Sequence, residues 1–160
     1  MDYTLNTKIT KIEHDDLVNL FSTALYGSTY LSADYEPNAD LKDCECFEDK
    51  LARTLLNGRK ISVIDYYAEG DVYGDCDCDY IIDDEDNVVY RITLDDIIKG
   101  LENASNGTFN PSSEREDFIK REKNWVKNCF QQLAEESCEF DLISADCLMQ
   151  IILFNEIVYG

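Results

Sequence analysis

Ten acidic residues lie between positions 65 and 86: Asp65, Glu69, Asp71, Asp75, Asp77, Asp79, Asp83, Asp84, Glu85 and Asp86. No Lys or Arg falls among them. Carboxylates packed this densely can bind cations, act in acid–base pairs, or present a field of negative charge to a basic surface. The calcium option fits only in part. Asp75, Asp77, Asp79 and Asp86 fall at the first, third, fifth and twelfth places of an EF-hand loop, but Tyr80 occupies the sixth, where Gly makes the sharp turn. Paired carboxylates for catalysis are unspecific on so acidic a surface, and no cofactor is expected.

Other chemistry is sparse. Cys44-Glu45-Cys46 and Cys76-Asp77-Cys78 form two C-x-C pairs. Four such thiolates could close a zinc site, although the usual gap within each pair is longer; free core thiols and a redox pair are the other readings. Cys129 and Cys147 fall on apolar helical faces and read as packing. His14 is the only histidine and sits beside Asp15 and Asp16 in the first turn of a helix, a surface position. Gly58, Gly70, Gly74, Gly100 and Gly107 are scattered, so no phosphate-binding loop is formed. The expectation is a protein that is not an enzyme.

The elements that must carry these residues follow from periodicity. Leu17, Leu20, Phe21, Ala24 and Leu25 predict a helix over 13–26, and Phe47, Leu51 and Leu55 a second over 47–57, each stopped by Gly. The stretch 32–43 reads as a loop. Runs at 61–67, 76–83 and 88–94 predict an antiparallel three-stranded meander with turns at 69–71 and 84–87. Thr93 caps a short helix bearing Ile97, Ile98 and Leu101. A long helix that Ser113 precedes and that runs to Glu136 carries Phe118, Trp125, Val126, Cys129, Phe130 and Leu133 as its apolar stripe. The last, over 144–159, is apolar almost all round and should be central. The expected architecture is one α+β domain spanning residues 1–160 in the order α-α-β-β-β-α-α-α.

Charge is unevenly spread on this frame. The whole chain carries 34 acids against 14 bases, a formal net charge of -20 over 160 residues. With 44% hydrophobic and 11% aromatic residues, it has the material for a core and is not an acidic disordered tail. Residues 1–60 carry a net charge of -4, residues 61–104 of -11, and residues 105–160 of -5. Direct binding to nucleic acid or to anionic membrane is disfavoured, because both require Lys and Arg. The N-terminus lacks a secretory pattern and no window reaches membrane-span length, so the expectation is a cytoplasmic protein.

If 75–83 is a strand, Asp75, Asp77, Asp79 and Asp83 share one face, spaced about 6.6–6.8 Å apart, an approximate phosphate ladder. Tyr66, Tyr67, Tyr73 and Tyr80 are then candidate anchors, at an interface type enriched in aromatics. The bland reading is a solvated acidic edge that prevents aggregation.

The segments HDDLVNLFSTALYGS, EDKLARTLLNGRKI, ITLDDIIKGLENA and CLMQIILFNEIVYG resemble small acidic proteins of bacterial phages and conjugative elements. In charge and size the chain is also similar to nucleic-acid-mimic inhibitors of the anti-CRISPR and anti-restriction types. The resemblance implies a non-enzymatic inhibitor whose partner is a basic nucleic-acid-binding protein such as a CRISPR-Cas effector. The alternatives are an anti-restriction or nucleoid-protein-binding mimic, and a zinc-binding accessory protein using Cys44, Cys46, Cys76 and Cys78.

Overall fold

Alternating burial marks the strands Ile61–Asp65 and Val88–Ile92, and three-to-four-residue spacing of buried side chains marks the helices, in a computed structural model that describes residues 1–75 and 77–160. In chain order the elements are β1 (Asp2–Tyr3), β2 (Ile9–Lys11), α1 (His14–Leu25), β3 (Leu31–Asp34), α2 (Phe47–Leu56) and β4 (Ile61–Asp65). They continue with β5 (Asp79–Ile82), β6 (Val88–Ile92), α3 (Leu94–Asn106), α4 (Glu116–Ala134) and α5 (Leu142–Phe154). The architecture is α+β, with an antiparallel sheet in the order β3-β4-β6-β5 and a small β1-β2 pair.

The expected meander is corrected: β6 lies between β4 and β5, so the connection 66–78 passes beyond it instead of closing a hairpin. Burial explains the order. Val88, Tyr90 and Ile92 of β6 and Ile61, Val63 and Asp65 of β4 all point into the core, which suits central strands. β5 has no buried residue and takes the edge. The stretch read as a loop also supplies a fourth strand, because β3 pairs with β4 from Leu31↔Asp65 to Asp34↔Ser62. Its sequence LSAD has little intrinsic strand preference, and tertiary pairing supplies what propensity does not.

Helix ends follow local chemistry. Thr93 caps α3 as expected, its hydroxyl accepting from Asp96 N at 3.2 Å while the Asp96 carboxylate accepts from Thr93 N at 2.8 Å. α5 stops five residues short of the expected end because Asn155 adopts a left-handed φ of 55° and donates to the Ile151 carbonyl. The chain then doubles back onto buried Gln150, whose Oε1 accepts from Val158 N and Tyr159 N, both at 2.8 Å.

α5 is buried along nearly its whole length and packs on α1, α3 and α4. Phe154 at its end meets Tyr90 of β6 at 5.7 Å between ring centroids, which joins the helices to the sheet. The α3–α5 contact needs a residue without a side chain at Gly100, where an added Cβ would lie 2.6 Å from the Ile152 Cα. Gly74, at φ 70°, sits against the Phe154 carbonyl, where an added Cβ would lie 1.7 Å from the oxygen. That contact sets Gly74 directly against the end of α5.

Gly100→Ala forces α3 away from α5 and is expected to lower unfolding free energy by about 1–3 kcal/mol, the usual cost of overpacking. Urea denaturation measures it. A loss within about 0.5 kcal/mol, the range of ordinary surface substitutions, would mean the helices do not approach this closely.

Candidate functional site

The acids of 65–86 divide into three groups. Asp65 is fully buried and does not belong to the expected surface: its carboxylate accepts from Tyr159 Oη at 2.8 Å and Tyr67 N at 2.9 Å. Burial raises its pKa above the ordinary carboxylate value, and these two hydrogen bonds only partly offset the rise.

Asp75, Asp77 and Asp79 make up the second group, and they do not form the expected one-faced row. Only Asp79 lies in β5; Asp75 and Asp77 lie outside it. Asp75 accepts from Asn110 Nδ2 at 2.7 Å and Asn155 Nδ2 at 3.2 Å. Asp77 pairs with Lys99 of α3, and Asp79 pairs with Lys60 at 2.7 Å, a contact that lowers its pKa. These acids are tied to partners within the chain.

The third group is the one the fold assembles. Two turns meet at one end of the sheet, joined by a hydrogen bond of 2.7 Å from Gly70 N to the Asp86 carbonyl. One turn carries Glu69 and Asp71, the other Asp83, Asp84, Glu85 and Asp86. Asp83 is the structural member: it accepts from Glu85 N and Asn87 N, each at 2.9 Å, and from Asn87 Nδ2 at 3.1 Å. Desolvation pushes its pKa up, yet these hydrogen bonds outweigh that and hold it below the ordinary value. Glu69, Asp71, Asp84, Glu85 and Asp86 are exposed, and among the described residues none of the five forms an ion pair.

The expected tyrosine anchors also divide. Tyr73 turns inward against Phe154 and Tyr159, with ring centroids at 6.4 and 5.8 Å. Tyr66 stays exposed and shares a 2.9 Å hydrogen bond with the Ser32 hydroxyl; Tyr67 stacks on Tyr30 at 5.6 Å. Tyr80 is 48% exposed on β5. The register sets Ile81, Val89 and Ile64 side by side on the solvent face of three strands. Sequence reasoning missed this apolar row, because each residue was assigned to its own strand and only the strand order makes them neighbours.

A second surface was also missed. Phe118 and Trp125, expected in the core stripe of the long helix, are partly exposed, Trp125 by 43%. With Leu142, Ile143, Tyr30 and Tyr159 they line a groove of about 860 Å³ between α4, α5 and the chain end. Asp146 in this groove accepts from the Tyr30 hydroxyl and from Gln150 Nε2.

The cysteines separate as well. Cys78, Cys129 and Cys147 are buried, Cys46 and Cys138 are exposed, and Cys76 lies outside the described residues. Cys78 Sγ donates to the Ile152 carbonyl at 3.5 Å. The Cys129 sulfur and burial together push the Cys147 thiol far up, so it stays protonated. Among the described residues no three His, Cys, Asp or Glu side chains converge in a way that could hold a metal. His14 is less exposed than expected and bonds through Nε2 to Asp49. The Asp49 pKa is lowered first by the Glu45 N–H, which donates at 3.0 Å, and then by His14.

These shifts predict a stability maximum in mild acid. Asp65, with a raised folded pKa, contributes stability that is present below the ordinary aspartate pKa and lost as pH rises through the folded value. Asp49, Asp79 and Asp83, with lowered pKa values, contribute stability that is present above the ordinary value and lost as pH falls through theirs. Unfolding free energy should rise as pH falls from neutrality toward the ordinary carboxylate range, helped by falling self-repulsion, and fall again once pH drops below that range. Asp65→Asn should reduce the rise. A steady decline from neutral pH in urea titrations would contradict the assignment.

Comparison with family models, curated proteins and solved structures finds no match to this chain, so its functional reading rests on the geometry of these surfaces.

Proposed function

We propose that the chain is a non-enzymatic inhibitor of a host nucleic-acid-binding defence system, of the anti-CRISPR kind, acting as an acidic mimic of nucleic acid. The observation that supports this most is the meeting of the 69–71 and 83–87 turns, which sets five exposed acids, without ion pairs among the described residues, at one end of the sheet. Fixed carboxylates there compete with phosphates for Lys and Arg in the groove of a CRISPR-Cas effector, and the field of a chain with net charge -20 steers the encounter. Catalysis is not required: the inhibitor acts by occupying the groove. An anti-restriction or nucleoid-protein mimic would use the same surface, and the identity of the basic partner separates these cases.

The test compares two triple substitutions in a competition assay with labelled target DNA and purified Cas effectors. Asp84→Asn, Glu85→Gln and Asp86→Asn remove three charges from the turn with little change in size; Asn also suits the φ of 62° at position 86. Glu135→Gln, Glu136→Gln and Glu139→Gln, beyond the end of α4, are the control. The turn variant should lose about tenfold in affinity and the control less than about threefold. Wild-type affinity should also fall between about 0.1 M and about 0.5 M salt, as the Debye length shortens. Equal losses from both variants would mean that only total charge matters. No displacement of nucleic acid from any effector would overturn the proposal.

A further inference from the structure

Among the described residues, no strand pairs with the outer edge of β5. Asp83 N donates to the Asn87 carbonyl at 3.0 Å, so residues 83 and 87 form a hydrogen-bonded pair of the antiparallel ladder. Such pairs alternate with non-hydrogen-bonded ones. With the register Ile82↔Val88, Ile81↔Val89, Tyr80↔Tyr90 and Asp79↔Arg91, Ile81 and Asp79 therefore exchange bonds with β6. The other side of the sheet agrees: Tyr66 N donates to the Tyr30 carbonyl, which assigns the even-numbered residues of β4 to β3 and the odd-numbered ones to β6. The N–H and C=O of Tyr80 and Ile82 consequently point away from β6, and no described strand lies beyond them.

Edge strands are ordinarily blunted by Lys, Pro, a bulge or a covering element. β5 contains no Lys or Pro, its pairing with β6 runs without a register shift, and all four residues are exposed, Ile81 by 57%. Its charge comes from Asp79 at one end and the acidic turn at the other. That charge opposes pairing with a second copy, because an antiparallel pair bonded through Tyr80 and Ile82 would set Asp83 of each copy opposite Asp79 of the other, at a net charge of -20 per chain. It favours a basic strand.

We infer that β5 is a strand-addition site for an extended segment of a basic protein that alternates apolar residues with Lys or Arg. The incoming backbone bonds to Tyr80 and Ile82, an apolar side chain extends the Ile64–Val89–Ile81 row, and a cation reaches Asp84, Glu85 or Asp86. This rests on the reading of the acidic end as a surface for a basic partner, and adds how the partner is held.

The probe is a heptapeptide alternating Lys and Val, compared with the same peptide N-methylated along its backbone, which keeps the charge but cannot donate hydrogen bonds. Binding to the full chain is measured together with amide hydrogen exchange. The unmodified peptide should slow exchange at Tyr80 and Ile82 by about tenfold and leave Ile81 unchanged. N-methylation should weaken binding by about tenfold, as should Ile82→Pro, a substitution edge strands tolerate where the N–H faces solvent. Ile82→Ala, which keeps the N–H, should cost less than about threefold. Should Ile82→Pro disturb the fold by circular dichroism, the N-methylated peptide decides alone. Equal binding of the two peptides, or unprotected Tyr80 and Ile82 amides, would overturn strand addition while leaving the acidic surface standing. Failure of both peptides in about 0.1 M salt would overturn strand addition as well, and the DNA competition assay then judges the acidic surface separately.

Discussion

Burial of α5 on nearly every side is the constraint from which the other placements follow. α1, α3 and α4 pack around it, Gly100 lets α3 approach its backbone, and Phe154 reaches the Tyr90 ring of the sheet. Its last carbonyl also lies against Gly74, where a side chain would find no room. Asp75 and Asp77 are drawn to Asn110, Asn155 and Lys99, away from any common strand face. The end of a hydrophobic helix thus engages a carboxylate of a distant segment, through Asn155.

What remains available is set by the sheet. Because β6 takes the central place beside β4, the turn after β4 and the turn between β5 and β6 fall at the same end and hydrogen-bond to each other. Like charges are brought together there at an electrostatic cost that the buried core must offset. Among the described residues, Glu69, Asp71, Asp84, Glu85 and Asp86 gain no ion-pair partner in return. Asp83 uses its carboxylate to close the turn, and Asp65 uses its own to hold Tyr159 and the Tyr67 amide. One run of acids in the sequence therefore contains structural anchors, surface ion pairs and free charge.

The helices were legible because each announces itself locally, through the apolar spacing of α1 and α2, the Thr93 cap of α3 and the continuous apolar run of α5. The acidic segment was legible as composition, but the strand order was not. A meander and the observed order use the same runs of residues; they differ in which strand buries its alternate side chains, and that depends on packing against α5. β3 was hidden because Leu31–Asp34 owes its strand conformation to β4. Asp65 looked like any other acid of the run; its place at the inward end of the alternating Ile61–Val63–Asp65 series is the one signal that could have marked it as buried. Phe118 and Trp125 shared the helical spacing of true core residues, and only the position of α5 shows that they lie at the rim of the packing.

The central claim is that free charge at the meeting of two turns is the surface a basic partner covers. Carboxylate footprinting of a complex with a Cas effector, in which solvent-accessible acids are chemically modified and located by mass spectrometry, tests it most directly. The account predicts that Glu69, Asp71, Asp84, Glu85 and Asp86 become protected on complex formation, while Glu135 and Glu139 beyond α4 stay reactive. Protection centred on Glu114, Glu116 and Asp117, beside the groove lined by Trp125 and Ile143, with the turn acids still fully reactive, would contradict it.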